Sequence, residues 1–197
     1  MTLHAFSLSD LIKNIGLDDA KQLVQSFKGI DLGTSSPHDV EVFLHTKAIR
    51  YEEASVSSTY LVFDVSTQEM VGFFSLANKP LIFSEKDFQA LSKTKQKSFN
   101  QHGRHLEGGG HQVNSYLIGQ LGKNYALPNN SVSGHKLLTL AYDKAKEAAR
   151  IINTRYIWLE CDDNPKLLQF YQDFGFTLIE PFNSDSGLKV LVLKIKK

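Results

Sequence analysis

The sequence predicts an α/β protein built on a mixed sheet. Two β-rich runs at residues 59–65 and 70–76, joined by a short polar connector, read as an antiparallel pair. From residue 113 onward the order becomes strand, helix, strand, helix, strand. A strand, crossover helix, strand unit closes right-handed almost without exception, so the middle of the sheet is expected to be parallel. A ligand is expected where those central strands part.

Taken in order, Ser7, Ser9 or Asp10 caps a first helix that carries Leu11, Ile12 and Ile15 and stops at Gly16. Residues 18–28 put Ala20, Leu23, Val24 and Phe27 on one helical face, with Gly29 as the stop. Over 39–54 the spacing of Val40, Phe43, Leu44, Ala48 and Tyr51 is helical again. Ser66-Thr67-Gln68-Glu69 then has the length of a hairpin connector between the two β-rich runs. Residues 80–83 add a short extended piece, 85–99 read as a charged, lysine-rich helix, and 101–111 read as a flexible loop with four glycines. A strand is expected over 113–121. The helix over 134–152 has Leu137, Leu138, Leu140, Ala141, Ala145, Ala148 and Ile151 as its apolar stripe. A strand at 156–161, a helix from Asn164, and strands near 176–179 and 187–195 complete the chain. There is no internal repeat and no low-complexity tract.

A chain of 197 residues can bury one sizeable core, so a single domain over 1–197 is expected. With a formal net charge of +1 there is no overall electrostatic case for nucleic acid or an anionic membrane, and any polyanion site must be local. Cys161 is the single cysteine, which excludes an intramolecular disulfide and fits a reducing compartment. The segment Met1-Thr2-Leu3-His4-Ala5-Phe6-Ser7 lacks a basic region followed by an apolar one, and no stretch approaches the apolar length that spans a bilayer. A cytoplasmic protein with no membrane partner is the expectation.

The sharpest motif is Asp163-Asn164-Pro165-Lys166-Leu167-Leu168-Gln169-Phe170-Tyr171-Gln172-Asp173-Phe174-Gly175-Phe176, directly after the strand-like Tyr156-Ile157-Trp158-Leu159-Glu160-Cys161. Asn164 suits a helix cap and Pro165 the first helical position, Tyr171 sits near the helix end, and Gly175 stops it. Upstream, Tyr116-Leu117-Ile118-Gly119-Gln120-Leu121-Gly122 reads as an apolar strand in which Gly119 marks a bulge or a close backbone approach. Asn129-Asn130-Ser131-Val132-Ser133-Gly134 then leads into His135-Lys136-Leu137-Leu138. A loop feeding a helix N-terminus favours phosphate oxygens, through unpaired N–H groups and the helix dipole.

Together these blocks resemble the GCN5-related N-acetyltransferases, the GNAT superfamily. The resemblance covers roughly residues 59–195 and is sharpest over 116–176. It implies the acyl-CoA N-acyltransferase fold, a mixed sheet splayed between two parallel strands with helices on both faces, and it implies acetyl-CoA as co-substrate. By the same resemblance Tyr171 is the catalytic acid that protonates the departing thiolate and contacts the coenzyme, a role a phenol can fill. The backbone of Gln120 or Leu121 would polarise the thioester carbonyl. Asn129, Asn130, Ser131, Val132, Ser133, Gly134 and His135 would cradle the pyrophosphate, and Asn164 would be a further coenzyme contact. The family pattern is Gln or Arg, two residues, Gly, one residue, then Gly or Ala. This chain matches at Gly134 and departs at Asn129 and Val132.

The run Val42-Phe43-Leu44-His45-Thr46-Lys47-Ala48, ahead of Thr59-Tyr60-Leu61-Val62-Phe63 and Val71-Gly72-Phe73-Phe74-Ser75-Leu76, is similar to a subset that includes toxins acting on the amino group of aminoacyl-tRNA. The expectation is direct acetyl transfer to a primary amine on a small molecule, a peptide or an aminoacyl-tRNA, by a monomer or homodimer. The alternative class is a coenzyme A-binding module without catalysis. Glu107, His111 and Glu160 lie near strand ends as candidate bases, with none singled out. His102, His105 and His111 lack the ligand set of a rigid metal site, so no metal is expected. Lys86, Lys93, Lys95 and Lys97 with Arg104 read as a solvated face, and Cys161 as a small apolar filler.

Overall fold

The computed structural model describes residues 2–196. Two compact units emerge: the chain up to Ala77 with Ile118–Lys144, and Asn78–Leu117 with the chain from Ala145 onward.

In the first unit, β1 (Leu3–Ser7) pairs antiparallel with β2 (Ser58–Asp64), and β2 pairs antiparallel with β3 (Glu69–Ala77). The β2–β3 hairpin is the pair read from the sequence. β1 is not; it is five residues long and half-exposed, and its partner lies more than fifty residues away, so local pattern gives little sign of it. Ser7 ends that strand and caps α1 (Leu8–Ile15), its Oγ accepting from the Asp10 N–H at 3.4 Å. Three further helices follow, α2 (Leu17–Gln25), α3 (Asp39–Thr46) and α4 (Ala48–Glu53). Where the pattern predicts one helix over 39–54, the structure therefore has two. Thr46 Oγ1 bonds back to the Val42 carbonyl at 2.7 Å just before the break, a bond that bends helices. Leu8, Val24, Phe27, Leu44, Leu61 and Phe73 are buried together, with Phe27 and Phe73 edge to face at 5.0 Å.

The second unit holds a small sheet of β4 (Leu81–Phe83), β5 (Gly103–His105) and β6 (His111–Val113), in the order β4-β6-β5. Residues 101–111 are thus no simple loop: they carry β5, a turn, and the start of β6. The predicted helix over 85–99 is also two, α5 (Glu85–Ala90) and α6 (Lys93–Asn100). Leu91 turns extended to bury itself at 3% exposure, and Ser92 caps the second helix through the Lys95 N–H. Lys95 departs from the expected solvated face, since its Nζ donates to the Leu178 carbonyl and burial holds its pKa below the usual range.

Here too β7 (Ser115–Lys123) starts, and its Ser115–Leu117 run parallel to Tyr156–Trp158 of β8 (Tyr156–Cys161). β10 (Lys189–Lys194) lies antiparallel to β8 and to β9 (Thr177–Asn183). α7 (Gly134–Ile151) is the crossover between β7 and β8, and α8 (Pro165–Phe174) follows β8. Phe83, Phe88, Phe99, Tyr156, Trp158 and Val190 form this unit's core. Two polar side chains inside it find backbone partners: Trp158 Nε1 donates to the Lys79 carbonyl at 2.8 Å, and Ser115 Oγ accepts from the Leu81 N–H at 2.9 Å. The strands of the larger sheet follow the order β1-β2-β3-β7-β8-β10-β9, a mixed sheet with helices on both sides as the sequence predicts.

Candidate functional site

β7 passes from the second unit into the first at Ile118 and ends in a braced turn. Asn124, buried at 3%, accepts on Oδ1 from the N–H groups of Lys28 and Ala126, each at 3.0 Å, and donates from Nδ2 to the Met70 carbonyl at 2.8 Å. Asn130 adds a second brace. Its Nδ2 donates to the carbonyls of Val71 and Asn124 at 2.7 and 2.8 Å, while its Oδ1 takes the Val132 N–H at 3.1 Å. Val132 is buried at 1%, so a packed side chain and an internally bonded N–H stand where the family pattern has a glycine.

Ser133 caps α7, its Oγ accepting from the Lys136 N–H at 3.2 Å. The side chains of Asn130 and Ser133 are therefore engaged in shaping the loop. Asn129, Ser131 and His135 are exposed, and Gly134 opens the helix. The first turn of any α-helix presents N–H groups that its own ladder does not use, with the positive end of the dipole behind them. That arrangement suits an anion, and it relies on backbone rather than on a side-chain signature.

On β7 itself, Gln120 and Leu121 are half-buried. A close approach on β7 lies at Gly122, where a Cβ would meet Phe27 Cζ and Phe73 Cε1 at 2.9 Å each. In the second unit, Asn164 caps α8 through its Oδ1 and the Lys166 N–H at 3.0 Å, with Pro165 at the start of the helix. Gly175 closes that helix at a φ of 113°, in the left-handed region, and its N–H returns to the Gln172 carbonyl. Tyr171 is half-buried, packed edge to face on Phe170 at 5.0 Å and Phe176 at 6.0 Å. Its ring is held by apolar neighbours, so the hydroxyl is the part with chemistry to offer.

No protein-family profile and no curated protein matches this sequence. Solved structures do match its fold. AtaT, in complex with acetyl-methionyl-tRNAfMet, is 19% identical over 98% of this chain and 95% of that one, with a TM-score of 0.65. A mutant of KacT is 15% identical over 98% and 95% of the two chains, with a TM-score of 0.65. AtaTR bound with AcCoA is 17% identical over 98% and 92%, with a TM-score of 0.58. This chain has the GNAT fold.

In that GNAT fold the candidate bases fare differently. Glu107 is exposed in the β5–β6 turn and Glu160 is half-buried on β8. His111 is 1% exposed and stacked on Phe88 at 4.2 Å, and burial, with the nearby His105, pushes its pKa down against the Phe99 carbonyl and Glu85. It is a core residue of the small sheet. Cys161 is buried, and burial together with Asp162 and Asp163 pushes its thiol up to about 11. A neutral thiol is a poor nucleophile. Among the described residues no group of three or more His, Cys, Asp or Glu is placed to hold a metal ion, and no helix is long and apolar enough to cross a membrane.

Sequence reasoning missed the two asparagine braces. A local signal existed for each, since Asn124 and Asn130 stand two residues before Ala126 and Val132 in the spacing of an Asx turn. The further partners of Asn124, at Met70 and Lys28, lie beyond the reach of any local pattern.

Proposed function

We propose that this chain is an acetyl-CoA-dependent N-acetyltransferase whose acceptor is the α-amino group of an aminoacyl-tRNA. The observation that carries the acceptor is the likeness to AtaT, held over nearly the whole of both chains, in a structure that contains acetyl-methionyl-tRNAfMet. The likeness to AtaTR bound with AcCoA supports the donor. An aminoacyl-tRNA acceptor in turn places the work in the cytosol.

The loop Asn129–His135 would receive the pyrophosphate on backbone donors at Ser131 and Gly134 and on the α7 dipole. Asn164 would offer a further polar contact. Transfer then needs one new bond and one broken one. The neutral amine nitrogen attacks the thioester carbonyl carbon, a backbone N–H of Gln120 or Leu121 stabilises the oxyanion, and the carbon–sulfur bond breaks as the tetrahedral intermediate collapses. The ammonium proton leaves to solvent or a base, and the Tyr171 phenol gives its proton to the departing thiolate. Direct transfer fits the state of Cys161, whose raised pKa leaves no thiolate to carry an acyl intermediate.

A second reading has one observation in its favour. The Val132 N–H is already bonded to Asn130, which removes a donor from the phosphate loop and suits a coenzyme A-binding module without catalysis. Incubation with acetyl-CoA and either charged tRNAs, deacylated tRNA, free amino acids, peptides or polyamines separates the possibilities by free-thiol release and product mass. Acetylation confined to charged tRNA is the expected result. Thiol release on small amines but not on charged tRNA would move the acceptor, and coenzyme binding without thiol release on any amine would establish the module.

A further inference from the structure

The parallel pair of β7 and β8 begins beside a pocket that uses none of the residues assigned to acetyl transfer. Its volume is about 340 Å³, and Arg155, Arg104, Asn114, Asn153, Gln101 and His102 line it. Arg155 immediately precedes β8 and Asn114 immediately precedes β7, and the two strands are in register at Ser115 and Tyr156. The position of Arg155 is also fixed by its carbonyl, which accepts from the Ile195 N–H at 2.8 Å. Asn153 stands in the turn after α7 with a φ of 31°. Gly103 is part of the wall, and a Cβ there would meet the Gln112 carbonyl at 2.3 Å and His111 Nε2 at 2.7 Å, so a larger residue does not fit at that position.

Arg155 is the unusual member. Its Nε and Nη1 are buried and have no hydrogen-bonding partner among the described residues. A guanidinium stays charged at any physiological pH and carries five donors in a planar fork, and burying such donors without acceptors is unfavourable by more than one ordinary hydrogen bond. Both nitrogens are sealed from solvent, so an occupant meets them only when the side chain turns toward the pocket. The rest of the lining favours an anion over a cation. It contains a second guanidinium, a histidine and three side-chain amides, and no carboxylate. The chemistry that resolves this set is an anion with several acceptor oxygens, matched to the arginine fork.

We infer that this pocket binds a phosphate group. Its volume falls in the range of small-ligand sites, large enough for a phosphate with an attached sugar. The phosphate belongs either to a free ion or mononucleotide or to the backbone of a single-stranded RNA, and both present the same oxygens to Arg155 and Arg104. The inference does not rest on acetyl transfer.

The test uses the full chain with three probes at matched ionic strength: inorganic phosphate and AMP by thermal shift and calorimetry, and a short single-stranded RNA by fluorescence anisotropy. At least one probe is expected to bind the wild type and to bind Arg104→Ala and Arg155→Gln at least tenfold more weakly, with circular dichroism showing both variants folded. If Arg155→Gln does not fold, Arg155→Lys together with Arg104→Ala carries the comparison. Binding of phosphate or AMP alone assigns a small-molecule occupant, and binding of RNA alone assigns a backbone phosphate. Acetyl-CoA affinity is expected to be the same in Arg104→Ala and wild type. The inference is overturned if no probe binds, if folded variants bind every probe as well as wild type, or if the variant loses acetyl-CoA instead, which would give the pocket to the coenzyme. None of these readouts depends on turnover, so failure of the acetyltransferase assay leaves this result to stand or fall alone.

Discussion

At the scale of single residues, Tyr171 and Cys161 give opposite predictions from their surroundings. Tyr171 packs on Phe170 and Phe176 through its ring, so Tyr171→Phe keeps the contacts and removes only the hydroxyl. We expect kcat to fall about 100-fold, in the range of a lost general acid, with the Kd for acetyl-CoA changed less than twofold. Stopped turnover with weakened coenzyme binding would make the hydroxyl a binding group instead, and unchanged turnover would remove it from the mechanism. Cys161, with its thiol pushed up to about 11, should resist alkylation in the native protein at pH 8 and react only in denaturant. Rapid native labelling, read by mass, would contradict that state and reopen a covalent route. The residues that sequence made legible are those whose roles are set within a few positions, such as Asn164 and Gly175 around Tyr171. Asn130 is different: its amide reaches Val71 across 59 positions, and nothing near it in sequence announces that bond.

At the scale of elements, α7, β8 and α8 match their predicted limits closely, because each has a strong local period and local start and stop signals. The helices that split, 39–54 and 85–99, do so where tertiary demands cut in, at the Thr46 back-bond and at buried Leu91. Packing between elements also sets two stability predictions. A Cβ on Gly72 of β3 would lie 2.6 Å from the Gly122 carbonyl and 2.8 Å from Leu137 Cδ1 of α7. Gly72→Ala should therefore destabilise the chain by about 1–3 kcal/mol in denaturant unfolding, as overpacking does, and a neutral result would mean that the strand and helix can give way. Glu41 of α3 is the second case. Burial acts to raise its carboxyl, but the Gly29 N–H, the Lys28 ammonium and the charge of His45 outweigh burial and hold it below the usual range. A depressed acid stabilises the folded chain above its unfolded pKa of about 4.3, and that contribution is lost as pH falls through the lower folded value. Glu41→Gln should lower unfolding free energy by about 1–2 kcal/mol at pH 7, with the gap to wild type narrowing below pH 4. A gap that stays constant to acid would show that the charge is not what braces the Lys28–Gly29 turn.

At the scale of the whole molecule, a net charge of +1 limits how this chain can meet RNA. There is no global field to draw in a polyanion, so binding must rest on a few local contacts. A plot of log K against log salt for a single-stranded RNA should have a slope of about −2 to −3, at about 0.7 for each phosphate contacted. A slope near −10 would require a basic surface that the composition does not supply. The seven-stranded order is likewise a property of the whole chain, and most of it was legible: the hairpin, the parallel step through α7 and the late strands all leave patterns in sequence. β1 and the three-stranded sheet were not: β1 and β4 pair with distant segments, and β5 and β6 are three-residue strands around a glycine-rich turn.

By itself, the sequence determined the local things: the hydrophobic periods of α7 and β8, the cap and stop around Tyr171, the loop that opens α7, and a mixed sheet with a parallel step. These depend on residues within a turn or two of each other, where backbone preference and side-chain spacing act directly. Only the tertiary structure decided which donors in that loop are already engaged, where the β7 glycine is pressed against its neighbours, and that Nε and Nη1 of Arg155 are buried without an acceptor. Each of those depends on atoms brought together from distant parts of the chain, and burial and hydrogen-bond satisfaction exist only once they meet.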